Sequence, residues 1–429
     1  MLMLLIFYSC NAENHNLENY RPRQLEKDSS IAKIDFIFID RVTLEENEEV
    51  IIQDIQSFSV NQRGDFYALT CPASKQLIVY DKSGRIFKTF KAWSNLSDSV
   101  ALSGAKTGSM FWSKKKSSKK WHFITIDELE QNNRKLEDTS KFINNMFVTA
   151  QFIDGKLYCN VIVYIPTVNE SGDNSINIKN RSVILEFSND FEDSYCFIAE
   201  RTYYGCPMAY DFAFVKNAIV TVSDFTRPAY FKKYDSMMTL LECDRRTGDS
   251  IGIIGYLPHS YETSKIGYGM GWEPKIHMHG NDLNVVYKFD KYVYARNNRI
   301  RFELKNLPYS NDGGFTLYEE FRKTSRKLKK TQENEEKKKK IIYNLFPCRL
   351  LKIFGDEENL YVAIYVKPPD EGAYLLIQKY TYSGELLGEG TIDYEEDNKI
   401  RKFDFDEIKQ ELLLVKKSSQ GWTVERFAI

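Results

Sequence analysis

The sequence predicts an all-β protein, a β-propeller of seven blades by count with six as the alternative, and three observations predict it. The first is composition: Tyr (27) and Phe (28) are abundant, beside many Val, Ile and Thr, side chains that suit a pleated, half-buried surface. The second is recurrence. A strand that begins at a Gly, Asn or Gln turn and runs on into a hairpin is repeated down the chain, and such a unit can bury its apolar face only against the next copy. The third is the pair of ends: KIDFIFIDRV (33–42) is an orphan strand before the first full unit, while the last unit has strands only at 402–406, 411–416 and 422–428. An N-terminal strand that completes the C-terminal blade closes the ring, and closure leaves only short, protected sheet edges.

Taken in order, the strand starts are GDFYAL at Gly64, GSMFW at Gly108, GKLYCNVIV at Gly155, KNAIVTV at Asn217, NDLNVVY at Asn281, ENLYVAIYV at Asn359 and, more weakly, KQELLLV at Gln410. The hairpins that follow, such as IVYDKSGRIFKTF (78–90), turn at Asp81 to Gly84, Asn189-Asp190, Asp244 to Gly248, Asn297-Asn298 and Ser383-Gly384. These residues supply the positive φ or Asx-turn geometry that a tight reversal needs. Spacings run from about 45 to nearly 80 residues; the shorter match the ~40–50 of a four-stranded blade, and the longer imply insertions. Residues 306–344 are one: a Gly-Gly breaker, an apolar start at Phe315, Tyr318 and Phe321, then a run of Lys, Arg, Glu and Gln. That pattern predicts a helical insertion near 315–340 that protrudes into solvent, its basic cluster Lys337 to Lys340 offset by Glu333, Glu335 and Glu336. KKKSSKK (114–120) predicts a charged hairpin tip.

Charge is balanced, 59 basic against 60 acidic residues, so no global field recruits nucleic acid, and no nucleic-acid partner is expected. The opening MLMLLIFYSC is too short to span a bilayer and ends at Cys10, after which the chain turns polar. It resembles the end of a bacterial lipoprotein signal, in which the cysteine after the apolar run is lipidated. The expected organisation is a signal remnant over 1–10 with Cys10 as the lipid carrier, a polar tether over 11–30, and a single propeller domain over 31–429. The other six cysteines are widely spread, without a CxxC pair, and read as small buried hydrophobes.

GDFYALTCPASKQLIVYDKSGRIFKTF (64–90) and ENLYVAIYVKPPDEGAYLLIQKYTYSGELLGEG (358–390) resemble NHL/TolB-like propeller blades of exported lipoproteins from Bacteroidetes. The resemblance implies a propeller, usually six-bladed in those relatives, held in the cell envelope by lipid at Cys10, either periplasmic or surface-exposed. It carries over no catalytic residue. The triplets Asp98-Ser99-Val100, Asp235-Ser236-Met237 and Asp249-Ser250-Ile251 are similar to O-glycosylation acceptors of exported proteins in the same bacteria.

Signatures of chemistry are sparse: the chain has no GxSxG, HExxH, phosphate-binding loop or EF-hand loop. His277 and His279 stand two apart, on one side of a strand, but two ligands do not make a metal site; no metal or cofactor is expected. The informative stretches are aromatic, Gly-rich loops: Tyr203 in 200–212, Arg227 and Tyr230 in DFTRPAY (224–230), and Tyr261, Tyr268 and Trp272 in 261–274. DFTRPAY is expected between the first and second strands of its unit, hence on a different loop set from the other two stretches. Amphipathic rings on such loops suit sugars, peptides or a partner protein's anchors, although for any single one of them filling the gap between blades is the better reading. The leading expectation is a lipid-anchored, non-catalytic module that binds a glycan, peptide or envelope protein. The alternative is a propeller hydrolase or lyase that uses funnel carboxylates, with Asp65, Asp211, Asp224, Asp282 and Asp356 available, and a third is a structural scaffold.

Overall fold

The structure, a computed structural model, describes residues 17, 20–91, 110–114, 121–125, 144–168, 176–187, 191, 195–203, 211–222, 238–244, 250–264, 266, 273–327, 331–369, 371–394, 400–419 and 421–429. Its strands form six four-stranded antiparallel sheets. Blade 1 is Ser57–Val60, Phe66–Cys71, Gln76–Asp81 and Ile86–Lys91; blade 2 is Asn144–Ile153, Lys156–Val168, Ile176–Phe187 and Tyr195–Tyr203. Blade 3 is Phe212–Val215, Ala218–Val222, Met238–Asp244 and Ser250–Tyr256; blade 4 is Lys275–His279, Asp282–Val286, Tyr292–Tyr294 and Ile300–Glu303. Blade 5 is Cys348–Gly355, Asn359–Val366, Ala373–Thr381 and Leu386–Tyr394. Blade 6 is Ile400–Asp406, Glu411–Ser418 and Gly421–Ala428, completed on its outer edge by Ile37–Thr43.

Between successive blades lies one apolar cluster, six in all, built from the alternating sides of neighbouring sheets. Period-2 alternation explains this: along Asn359–Val366, Leu360, Val362 and Ile364 face blade 4, while Tyr361 and Ala363 face blade 6. The first strand of each blade contacts the first strand of a neighbour, so these strands line the central channel. Because each blade contains an even number of antiparallel strands, the chain leaves every blade at the end where it entered, and all first strands start at one mouth of the channel.

The closing strand is fixed by charge as well as by its ladder to Gly421–Ala428. Arg426 grips Asp40 with two nitrogens, each at 2.7 Å. Arg41 reaches Glu425 at 2.5 Å and Lys416 reaches the same carboxylate at 2.7 Å. Gly84, at φ +81°, turns blade 1 directly over this strand; a Cβ there would collide with the Thr43 carbonyl oxygen.

Two expectations need correction. The ring has six blades, not seven: among the described residues the unit counted at Gly108 contributes the two-stranded hairpin Met110–Lys114 with Trp121–Thr125, set beside the Lys156–Val168 strand of blade 2. A local strand-turn-strand signal is the same in a free hairpin and in half a blade. The insertion is not one protruding helix but two, α2 (Asp312–Lys327) and α3 (Gln332–Leu345), preceded in the chain by the short α1 (His259–Ser264). Tyr318, Phe321, Ile341, Ile342 and Leu345 sink into the cluster between blades 3 and 4, so only the outer helix faces are solvated. Residues 23–34 lie along the body: Leu25 N–H donates to Pro308 O at 3.0 Å, and Ile34 N–H to Glu389 O at 2.8 Å. Cys71, Cys159 and Cys348 are buried free thiols, and Cys243 is buried too.

Burial raises the Glu425 carboxyl, but hydrogen bonds from Lys416 and Arg41 outweigh it and hold the group below the usual carboxylate range. A lowered folded-state pKa stabilises at pH above the ordinary value and ceases to do so as pH falls through the folded one. Glu425→Ala, which leaves Lys416 half-buried and unpaired, is expected to cost about 3 kcal/mol at neutral pH and to flatten the acid limb of stability, measured by urea melts at several pH values.

Candidate functional site

The wall of the channel is held together by polar side chains that cross from blade to blade. Ser57 Oγ accepts Ala150 N–H at 2.8 Å and Ser59 Oγ accepts Phe152 N–H at 3.0 Å, joining blades 1 and 2. Gln151 donates to Asp211 Oδ1 at 2.5 Å, and Asp211 also accepts the Ile276 N–H, linking blades 2, 3 and 4. Lys352 of blade 5 binds Asp404 and Phe403 O of blade 6, and the other Asp404 oxygen accepts Val60 N–H of blade 1 at 2.9 Å. First strands have one edge turned to the channel, and these side chains give its backbone groups partners.

Not every polar side chain is so committed. Lys275 opens the first strand of blade 4 and Lys402 stands third in that of blade 6, both toward the mouth where the strands start, while Lys352, fifth of eight in its strand, lies deeper, within reach of the Lys402 charge. Lys288, in the turn after the second strand of blade 4, opens at the same mouth, its ammonium 5.7 Å from the Phe289 ring centre. Lys352 has Asp404, but Lys275, Lys288 and Lys402 have no carboxylate within ion-pair distance among the described residues. Burial, then Lys275, Lys352 and Lys288, push the Lys402 ammonium down to about 8, with Asp54 opposing. Burial and then Arg349 lower Lys288, with Glu273 opposing. Burial raises the Asp211 carboxyl despite its donors and the nearby lysines. Buried, like-charged amines of this kind are what perturbs a lysine most.

The opposite mouth is acidic. Glu407, after the first strand of blade 6, is raised to about 7, first by loss of hydration and then by Asp404, Asp356, Asp154 and Asp406. Asp406 is raised by burial, and its Oδ2 has no partner among the described residues. Asp356 is different: burial raises it, but the N–H groups of Glu358 and Asn359 outweigh this and hold it low, as in an Asx turn. Between the mouths His277 is pushed down to about 4 by burial, His279 and Lys352, and its Nε2 lies 3.3 Å from Tyr382 Oη. His279 stacks on the Tyr382 ring at 3.8 Å. Among the described residues no group of three or more His, Cys, Asp or Glu could hold a metal ion.

Of the residues singled out in the sequence, Tyr261 lies in α1, wholly buried, its Oη accepting Phe289 N–H at 2.7 Å while its ring packs on Tyr287 and Phe289. Tyr203 ends the outer strand of blade 2. Arg227, Tyr230, Tyr268, Trp272 and Cys10 lie outside the described residues, as does Asp224. The short strand Phe212–Val215 corrects one expectation: DFTRPAY falls between the second and third strands of blade 3, so the strand ends flanking it open at the same mouth as those flanking 204–210 and 267–272. Asp65 lies in a turn, its N–H held by Asn61 Oδ1 at 2.7 Å, and Asp282 pairs with Arg301 at 3.6 Å. The lysine group was missed; the signal for it is a lone Lys inside each of KIHMH, LLKIF and IRKFDFD, segments otherwise suited to inner strands.

No protein-family model and no curated protein matches the chain. It is similar to a solved protein of Bacteroides fragilis described as exported, with 10% identity and a TM-score of 0.47 over 96% of this chain and 98% of that one. It is similar likewise to a member of the duf4221 family from Bacteroides vulgatus, with 10% identity and a TM-score of 0.47 over 92% and 98% of the two chains.

The acidic mouth has a measurable signature. A carboxyl raised from its ordinary value to about 7 destabilises the fold once it ionises, so stability falls as pH rises through the window from the ordinary value to about 7. Glu407→Gln is expected to match the parent at low pH and to exceed its melting temperature above neutrality. Because the residue is exposed, solvent screens the effect and the gain is small.

Proposed function

We propose that the protein is a binding module of the cell envelope, anchored by lipid at Cys10, that takes its ligand or partner at the mouth where the first strands start. One observation supports this above the others: Lys275, Lys288 and Lys402 are half-buried there with no ion-pair partner among the described residues. A half-buried cation without an ion pair is a standing cost to the fold, and such groups gather where something else is bound. Presentation by six first strands gives a rigid frame, which favours binding without large rearrangement. The partner class carried over from the sequence is a glycan, peptide or envelope protein.

Capture from detergent-solubilised envelope provides the test. The parent protein is expected in the membrane fraction with a reproducible bound species; Cys10→Ala is expected to leave the membrane fraction yet keep the species when it is supplied. Lys275→Ala with Lys402→Ala is expected to lose the species while remaining membrane-bound, whereas Lys409→Ala at the other mouth is expected to retain it. Retention by the double lysine variant would overturn the assignment of the mouth.

A second reading is favoured by the opposite end of the channel, where Glu407 at about 7 stands among Asp404, Asp356, Asp154 and Asp406. Crowded carboxyls of this type can divide into an acid and a base, as glycoside cleavage requires. A hydrolase or lyase working there is expected to lose activity on acidic or neutral glycans in Glu407→Gln with its melting curve intact, and to show a rate limb near pH 7.

A further inference from the structure

We propose that the lysine-lined mouth seats a compact oxyanion, the carboxylate or phosphate group of a small ligand, between Lys275, Lys288 and Lys402. The inference rests on reading this mouth as the binding face and names the chemistry that the face selects.

The supply of charge comes first. Blade 4 offers Lys275 and Lys288 and blade 6 offers Lys402, while Lys352 of blade 5 stands between them. The carboxylates within the wall are already committed: Asp404 holds Lys352 and Val60 N–H, and Asp211 holds Gln151 and the Ile276 N–H. Asp211 also faces Lys275, and two further carboxylates face the cluster, Glu273 toward Lys288 and Asp54 toward Lys402; none of the three forms an ion pair with these lysines among the described residues, Asp54 Oδ1 already accepts Ala73 N–H at 3.3 Å, and the Arg349 guanidinium adds positive charge beside Lys288. Positive charge is therefore left over in a partly dehydrated place. Each of the three lysines is only half-buried, so part of the side chain meets solvent.

Shape sets the class. The amines converge from two blades on one channel mouth and do not run along a surface, so they fit a single headgroup better than an extended polyanion. Lysines act as point charges with rotatable donors, suited to carboxylate or phosphate without the planar fork that arginine imposes. The arrangement also couples binding to protons. An anion beside Lys402 opposes the repulsion that depresses its ammonium, so a ligand bound above about pH 8 should draw a proton onto it.

Isothermal titration calorimetry with inorganic phosphate, and separately with succinate, tests this and distinguishes the two headgroup sources. A saturable heat is expected with at least one probe, with affinity falling several-fold from about pH 7 to about pH 9, and with proton uptake at the higher pH revealed by buffers of different ionisation enthalpy. Lys402→Met and Lys275→Met are each expected to weaken binding by about tenfold or more, and Lys409→Met to leave it unchanged. Lys402→Met removes a half-buried unpaired cation, so it should melt no lower than the parent, which separates lost binding from lost folding. No saturable heat with either probe, or undiminished heat in both mouth variants, would sink the inference. If envelope capture is nonetheless lost in the double lysine variant, the binding face stands and only the oxyanion is rejected; if capture persists as well, the binding face falls too.

Discussion

The structure depends on giving partners to the inner edge of each sheet. A first strand that borders a channel has backbone N–H and C=O groups with no ladder on one side, and a narrow channel cannot hydrate all of them. Here the neighbouring blade supplies the partners: serine oxygens from blade 1 for blade 2, the Asp211 carboxylate for blade 4, the Asp404 carboxylate for blade 1 and the Lys352 ammonium for blade 6. Each such bond also fixes the angle between two sheets, so the apolar clusters between blades meet in register. The polar inventory of the channel is thus divided into groups that hold the ring and groups that do not. The three uncommitted lysines are recognisable only because the others are accounted for.

This division also explains how a chain of nearly zero net charge can present two electrically different ends. With 59 basic and 60 acidic residues, there is no excess to form a global field, only a separation along the axis. Lys275, Lys288 and Lys402 gather at one mouth, and Glu407, Asp406, Asp356 and Asp154 at the other. Walls of low dielectric carry such a field farther than open water would, which favours approach of an anion at one end and disfavours it at the other.

Much of the fold was legible because it is written in local chemistry. Turn residues and alternating runs mark the hairpins, and the orphan strand at 33–42 announced the closure that Ile37–Thr43 makes with Gly421–Ala428. The blade number was not legible, since the hairpin at 110–125 carries the same signals as half a blade. The four-residue strand Phe212–Val215 was hidden ahead of a stronger start at Asn217, and this moved DFTRPAY to the wrong loop set. In the insertion, composition revealed a helix but neither the break into two nor their docking, because Ile341, Ile342 and Leu345 form only a short apolar end to a charged run. The lysine group is the least local feature: residues 275, 288, 352 and 402 come from three blades and come within reach of one another's charge only after the ring is closed.

The strand Ile37–Thr43 leaves the ribosome long before its partner Gly421–Ala428. A nascent chain emerging in order could form the sheets between them one by one, yet Ile37–Thr43 would have no lasting ladder until residue 428 had emerged. Contacts of such sequence separation are slow to form, and an open ring exposes two unsatisfied sheet edges to other chains. A truncated translation product of this protein would therefore be an incomplete ring with sticky ends, a natural substrate for chaperones and quality-control proteases.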